Sequence, residues 1–299
     1  MTQYTELVKR NMRLYLRDKG AVFFSLLSML IIIAVSMLFL GDINAETLAD
    51  MLSALPNRDY EADKANAKLF FLLWTVGGII SINAITVTVA VYSNMIKDKT
   101  DGILGAISTC PVKRGAICAS YITSAFLCSV IICILTLAIS EIYCIIQGAE
   151  PLSVRSHFEL LFYIILNSFS YSAITYFIAS AVKTQGSWSG IGTVIGTLVG
   201  FLGGIYIPLG SLADGLASFL KCLPVIYGVT MFRKTMLSDI SSELFNGVSD
   251  EIRSECLDTL GVEFEAFSNP VTSGHCIAVL LLWGAAFLIL SVILSNKKR

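Results

Sequence analysis

"NMIKDKTDGILGAISTCPVKRG", residues 94–115, packs four basic residues, two acids and a proline between two long apolar runs. The run before it covers about Ala67–Tyr92 and the run after it about Ala116–Ile139. A bilayer core about 30 Å thick is crossed by about 20 predominantly apolar residues in a helix. Both runs reach that length, so the quoted stretch reads as a short charged loop joining two membrane-crossing helices. That reading sets the fold class for the rest of the chain.

Working outward, the same alternation recurs. Of 299 residues, 55% are hydrophobic and 14% charged, against about 25% charged in ordinary globular domains. Mean hydropathy is +0.75. Six apolar runs are expected to span: about Ala21–Leu40, Ala67–Tyr92, Ala116–Ile139, Leu160–Val182, Trp188–Ile207 and Gly274–Leu294. The first is longer than the apolar core of a secretory signal and lacks a clean A-x-A site, so it reads as a retained span. The expected fold is an all-α polytopic membrane protein. Its regions are a cytoplasmic amphipathic helix over residues 1–20 and a six-span domain over residues 21–299.

Lys and Arg placement orients the spans. With both termini cytoplasmic, the inside segments hold thirteen basic residues: Lys9, Arg10, Arg13, Arg17, Lys19, Lys97, Lys99, Lys113, Arg114, Lys183, Lys297, Lys298 and Arg299. The longer outside segments hold seven: Arg58, Lys64, Arg155, Lys221, Arg233, Lys234 and Arg253. The quoted stretch, part of a loop over residues 93–115, is therefore expected on the cytoplasmic side. Within it Asp98, Thr100 or Asp101 can cap a helix start. Ile103, Leu104 and Ile107 give that helix an apolar edge, and Pro111 stops it. Two readings of this helix stay open, a well-capped turn or a plug for a groove on a soluble partner.

At the N-terminus, Tyr4, Leu7, Val8, Met12, Leu14 and Tyr15 fall at roughly helical spacing between basic residues. That pattern suits a helix lying on an anionic leaflet. On the outer side, residues 208–270 hold apolar pieces broken by Pro208, Gly210, Gly215, Pro224 and Gly228. They are too short to span and read as re-entrant or interfacial. Residues Ser241–Ser268 then form an acidic helical cap, with Ile252, Cys256, Leu257 and Leu260 at helical spacing.

Absences narrow the function. There is no GxxxxGK[ST] phosphate loop, no HExxH and no GxSxG elbow, and a net charge of −1 gives no footprint for nucleic acid. The chain is expected to be no enzyme and to bind no cofactor or metal. Eight cysteines without paired spacing read as small apolar side chains, and spacing does not support a disulfide such as Cys222 to Cys256. No expected span carries an acid or base in its interior, which weakens an ion-coupled transporter.

Two patterns inside the spans stand out. Gly192, Gly196, Gly200 and Gly204 recur every fourth residue, a stripe along which another helix can approach closely, from a second protomer or from the same chain. Asn167, Tyr171 and Thr175 share one helical face, and Asn83 lies in the second span; these line a polar path or form interhelical hydrogen bonds.

Taken together, the basic "RNMRLYLRDKGAVFFSLLSMLIII", the "KDKTDGILGAISTCPVKRG" loop between spans two and three, and the broken "GGIYIPLGSLADGLASFLKCLPVIYGVT" before span six resemble the permease subunit of an ABC exporter of the ABC-2 type. The resemblance covers essentially the whole chain. It implies a plasma-membrane protein of bacterial type that works as a dimer, homo- or heterodimeric, with two copies of a separate ABC ATPase that hold the ATP and Mg. It further implies that a coupling helix over about Asp98–Ser108, with Asp98, Asp101, Gly102, Ile103, Leu104 and Ile107, docks on that ATPase. Pro208–Gly228 would form outer re-entrant helices. The long outer region Asp239–Pro270 points to drug, peptide, lantibiotic or lipid-like substrates. The rival class is a secondary transporter or channel with no ATPase partner.

Overall fold

The architecture was obtained as a computed structural model, which describes residues 2–35, 42–56, 58–266 and 269–297. Everything is organised around one long helix. After α1 (Thr2–Leu16), α2 (Lys19–Val35) and α3 (Asp42–Ser53), helix α4 runs from Tyr60 to Thr100 without a break. Asp59 caps its start by accepting from the Glu61 N–H at 3.1 Å. Glu61 and Asp63 occupy its first turn and Lys97 and Lys99 its last, the charge order that a helix dipole favours. Forty-one residues at 1.5 Å each give about 60 Å, twice the hydrocarbon thickness. Hydropathy ends a span where charges begin, but it does not end a helix. No helix breaker occurs until Gly102, so α4 carries the second span straight through "SNMIKDKT".

Gly102 has φ +76°, a left-handed backbone that favours glycine. It ends α4 and turns the chain into α5 (Ile103–Thr109). None of Asp98, Thr100 and Asp101 caps α5, because the N-cap is Gly102 itself, with no side-chain bond. Cys110 is extended (φ −71°, ψ 157°), as a residue before proline prefers. Helices α6 (Arg114–Ile146) and α7 (Val154–Ala181) then pack on α4 and on each other. Helix α8 (Gln185–Leu202) leans on α4 and stops at Gly203–Gly204, short of the expected Ile207.

A 3-10 turn (Leu209–Ser211) leads into α9 (Asp214–Lys221) and α10 (Pro224–Met236). These two meet at an 81° bend between Gly215–Lys221 and Pro224–Met236, the broken element read from the sequence. The cap follows as α11 (Ser238–Leu244), α12 (Asp250–Thr259) and a two-residue antiparallel pair, Glu265–Ala266 with Asn269–Pro270. Helix α13 (Ser273–Lys297) closes the chain against α7 and α10.

Among the described residues four helices are long and apolar enough to cross a membrane: α4, α6, α7 and α13 from Ser273 to Leu294. The chain is a multi-pass, all-α membrane protein. Residues 36–40 of the first expected span, and the last two residues of the basic C-terminus, lie outside the described residues. All eight cysteines are free. Five of them (Cys118, Cys128, Cys133, Cys144 and Cys276) are buried among apolar side chains.

Candidate functional site

The quoted loop is held by a charge knot whose partners are far apart in sequence. Asp98, in the last turn of α4 and only 5% exposed at its side chain, accepts from both Arg10 guanidinium nitrogens at 2.7 Å. It also accepts from the Tyr121 hydroxyl of α6 at 2.6 Å. The bidentate fork fixes direction as well as distance. Asp98 is thus not on the short helix, where the sequence placed it; it locks α1, α4 and α6 together beneath that helix. Lys99, next to it, donates to the main-chain oxygens of Val182 and Ser180 at the end of α7. Four helices are therefore tied at one level.

Helix α1 serves that knot. Val8, Asn11 and Tyr15 are buried against the bundle, Tyr4 bonds Thr123 of α6 at 2.7 Å, and Tyr15 bonds Ser25 of α2 at 3.0 Å. Lys9, Arg13, Arg17 and Lys19 stay exposed. The apolar stripe read from the sequence is largely covered by this protein, and the basic side faces out.

Helix α5 itself has no buried residue. Its two sides differ nonetheless. Leu104 and Ile107 are half-buried and pack on the cluster that includes Tyr15, Met95 and Ile117. Ile103, with Asp101, Gly102 and Ala106, is exposed. Of the six residues assigned to coupling, three (Asp101, Gly102 and Ile103) face out, two (Leu104 and Ile107) hold the helix down, and Asp98 anchors the base.

The polar residues of the spans pair with one another. Asn83 donates to Thr136 at 2.6 Å, Asn167 to Ser81 at 3.0 Å, and Thr175 meets Thr88 at 3.1 Å, all between different helices. Asn167, Tyr171 and Thr175 are each 3% exposed or less. Interhelical hydrogen bonding fits Asn83, Asn167 and Thr175, whereas the buried Tyr171 hydroxyl makes no hydrogen bond among the described residues. Asn83, with Thr86, also borders an open space, a cavity of about 370 Å³ between α2, α4 and α8 that Gly196 and Gly200 line too.

The glycine stripe is divided rather than continuous. Gly200 sits under the Tyr206 ring, where a Cβ would come within 2.3 Å. Gly204 lies past the helix end at φ +62°. Gly192 touches Val89 of α4, while around Gly196 there is open space. Val194 and Leu198, one turn apart, are exposed on another side of the helix.

One residue escaped the sequence reading. Arg233, assigned there to the outer loop, is a fully buried side chain of α10. Its three nitrogens donate to the carbonyls of Trp74 (3.3 Å), Leu260 (3.2 Å) and Gly204 (2.9 Å), and the guanidinium lies 3.8 Å from the Trp74 ring. No carboxylate bonds it among the described residues. Close approach of α10 to α4 permits this: a Cβ on Gly77 would meet the Arg233 backbone at 3.2 Å. The available signal was a base two turns into a helix opened by Pro224, beside apolar Met231, Phe232 and Met236.

A family model, that of the ABC-2 family transporter proteins, matches residues 42–295. The chain belongs to this family. It is a membrane permease subunit of the ABC transporter class, whose members normally work with an ABC ATPase. No curated protein matches it.

Proposed function

We propose that this chain is the permease of an ATP-driven exporter, crossing the membrane six times with both ends in the cytoplasm. The spans would be α2, α4, α6, α7, α8 and α13, with α9 and α10 as the outer re-entrant pair. A second permease protomer, identical or related, would meet the exposed α8 face that carries Val194 and Leu198. Each protomer would engage one ATPase, which holds the ATP and Mg, and drug-like, peptide, lantibiotic or lipid-like compounds would pass at the protomer interface.

The observation that carries this reading is the contrast at the loop: an exposed helix with an outward Ile103, seated on a base tied by Arg10, Asp98 and Tyr121. A loop that only reverses the chain needs no such base. Coupling needs a stiff element with two arrangements that a partner can bias. From Asp98 to Trp74, α4 provides about 36 Å of unbroken helix, so a push on α5 is delivered to the outer end.

The test is co-purification from mild detergent with a C-terminal tag. The wild type should bring down a soluble ATPase with a phosphate loop, and Ile103→Glu should lose it while eluting as the same folded species. An ATPase retained by the variant would remove α5 from the docking surface. No ATPase with either protein would return the chain to the transporter or channel reading.

A further inference from the structure

The end of the molecule opposite α5 holds a second, larger space. A cavity of about 540 Å³ opens between α3, the first turns of α4 and α12. Its walls include Leu48 and Leu52 of α3, Phe71 and Trp74 of α4, and Phe245 and Leu260 of the cap. Pockets of this size, mostly apolar with a few polar groups, are where small ligands bind. Glu255 is the single charged side chain lining it.

Glu255 also borders a second hollow, of about 880 Å³, across α12. There it joins Asp250, Glu251, Asp258, Glu263 and Glu265, against only Lys221 and Lys234. Helix α12 therefore turns an apolar space on one side into a negative rim on the other. The imbalance is felt locally. Burial raises the Asp258 carboxyl first, Lys221 opposes this, and Glu265 and Glu263 raise it further.

We propose that this cavity binds a cationic amphiphile, its apolar body between α3 and Trp74 and its positive group at Glu255 and the acidic rim. The outward-facing placement of the site rests on the orientation proposed above. Charge selects this occupant over the two obvious others. Membrane phospholipids bring anionic or zwitterionic heads, which the rim repels or leaves unmatched. A second copy seated two-fold across this face would set acidic α12 against acidic α12.

The floor of the cavity gives occupancy a consequence. Trp74 donates its Nε1–H to the Leu260 carbonyl at 2.9 Å and stacks on Arg233. A ligand against Trp74 thus presses on the knot that ties α12 to α4 and to Gly204.

The experiment uses the full chain in phosphatidylcholine nanodiscs, with empty nanodiscs as the blank. Dodecyltrimethylammonium and dodecyl sulfate serve as probes below their micellar concentrations. At low salt the cation should bind roughly tenfold tighter than the anion, a preference that screening erases near 1 M salt. Glu255 is exposed, so Glu255→Gln should fold normally and cut the preference by roughly threefold. Ala54→Trp, which fills the mouth, should abolish saturable binding of both probes. Ile252 lines the mouth and is 42% exposed; Ile252→Arg should reverse the preference. Equal binding of cation and anion at low salt would overturn the proposal. So would saturable binding that survives Ala54→Trp in a protein with unchanged melting temperature. No ATPase takes part, so a failure here is separable from a failed co-purification.

Discussion

Two buried or half-buried arginines hold α4 at two levels, Arg10 at its last turn and Arg233 beside Trp74, and they do so by opposite means. Arg10 meets a carboxylate, Asp98, in a bidentate pair reinforced by Tyr121. Arg233 meets only neutral groups, three main-chain carbonyls and an indole face. In the first case both charges are satisfied by each other, and removing one strands the other. In the second the cation has no counter-charge to strand, but it bridges three segments at one point. The end of α4 beside α5 is thus held by an ion pair. At the level of Trp74 the helix is held by a staple to neutral groups. A permease driven from one side needs compliance where the push arrives and rigidity where it is delivered.

The largest expected effect breaks the staple. Arg233→Met keeps much of the volume but deletes three charge-assisted hydrogen bonds; the Leu260 carbonyl keeps Trp74 Nε1–H, while the Gly204 carbonyl loses its side-chain donor. A hydrogen bond to a charged group is worth about 1.5–3 kcal/mol. Relief of the cation's own desolvation offsets part of that sum, so a net loss of about 4 kcal/mol is expected. Arg233→Lys should recover only part, since an ammonium cannot reach three divergent carbonyls as a planar fork does. Thermal melting in detergent reads both. A melting temperature of Arg233→Met within a degree of wild type would show that the staple is ornamental.

Next comes the inner pair. Arg10→Met leaves the Asp98 carboxylate buried with Tyr121 as its remaining donor, a loss of about 3 kcal/mol. Asp98→Asn should cost less, because Arg10 is 32% exposed and can turn to water. The double variant should be milder than the two losses added, and a double-mutant cycle measures that coupling. Additive losses would mean the pair does not act as a unit.

These contrasts also mark what the sequence could and could not supply. The charged loop, the break at residues 208–228 and four of the six apolar runs rest on local composition, and they reappear in place among the described residues. Helix α4 was cut at Tyr92 because hydropathy falls there, yet Asn94–Thr100 holds no breaker and the helix runs on to Gly102. Asp98 was read as a helix cap because its partner, Arg10, lies 88 residues away and no local pattern announces it. Arg233 was counted as an outer loop base for the same reason: its acceptors come from α4, the end of α8 and the end of α12. Short-range periodicity locates elements. Pairings across 27 to 159 residues decide which of their polar residues are structural.

The smallest effect sharpens the comparison most at the quoted loop itself. Ile103 and Leu104 are adjacent and chemically alike, and the sequence gives no reason to separate them. On α5 they diverge, since Ile103 faces out at 40% exposure while Leu104 packs on the cluster around Met95 and Ile117. Leu104→Ser should therefore cost about 1 kcal/mol of stability, the worth of a half-buried apolar side chain, and Ile103→Ser close to none. If α5 is a docking element, the order inverts for function: Ile103→Ser should lower ATPase retention more than Leu104→Ser does. Melting curves and co-purified ATPase, measured on the same two preparations, separate the roles. A pair of variants that lost stability and partner in parallel would mean that α5 acts only through the fold of the loop.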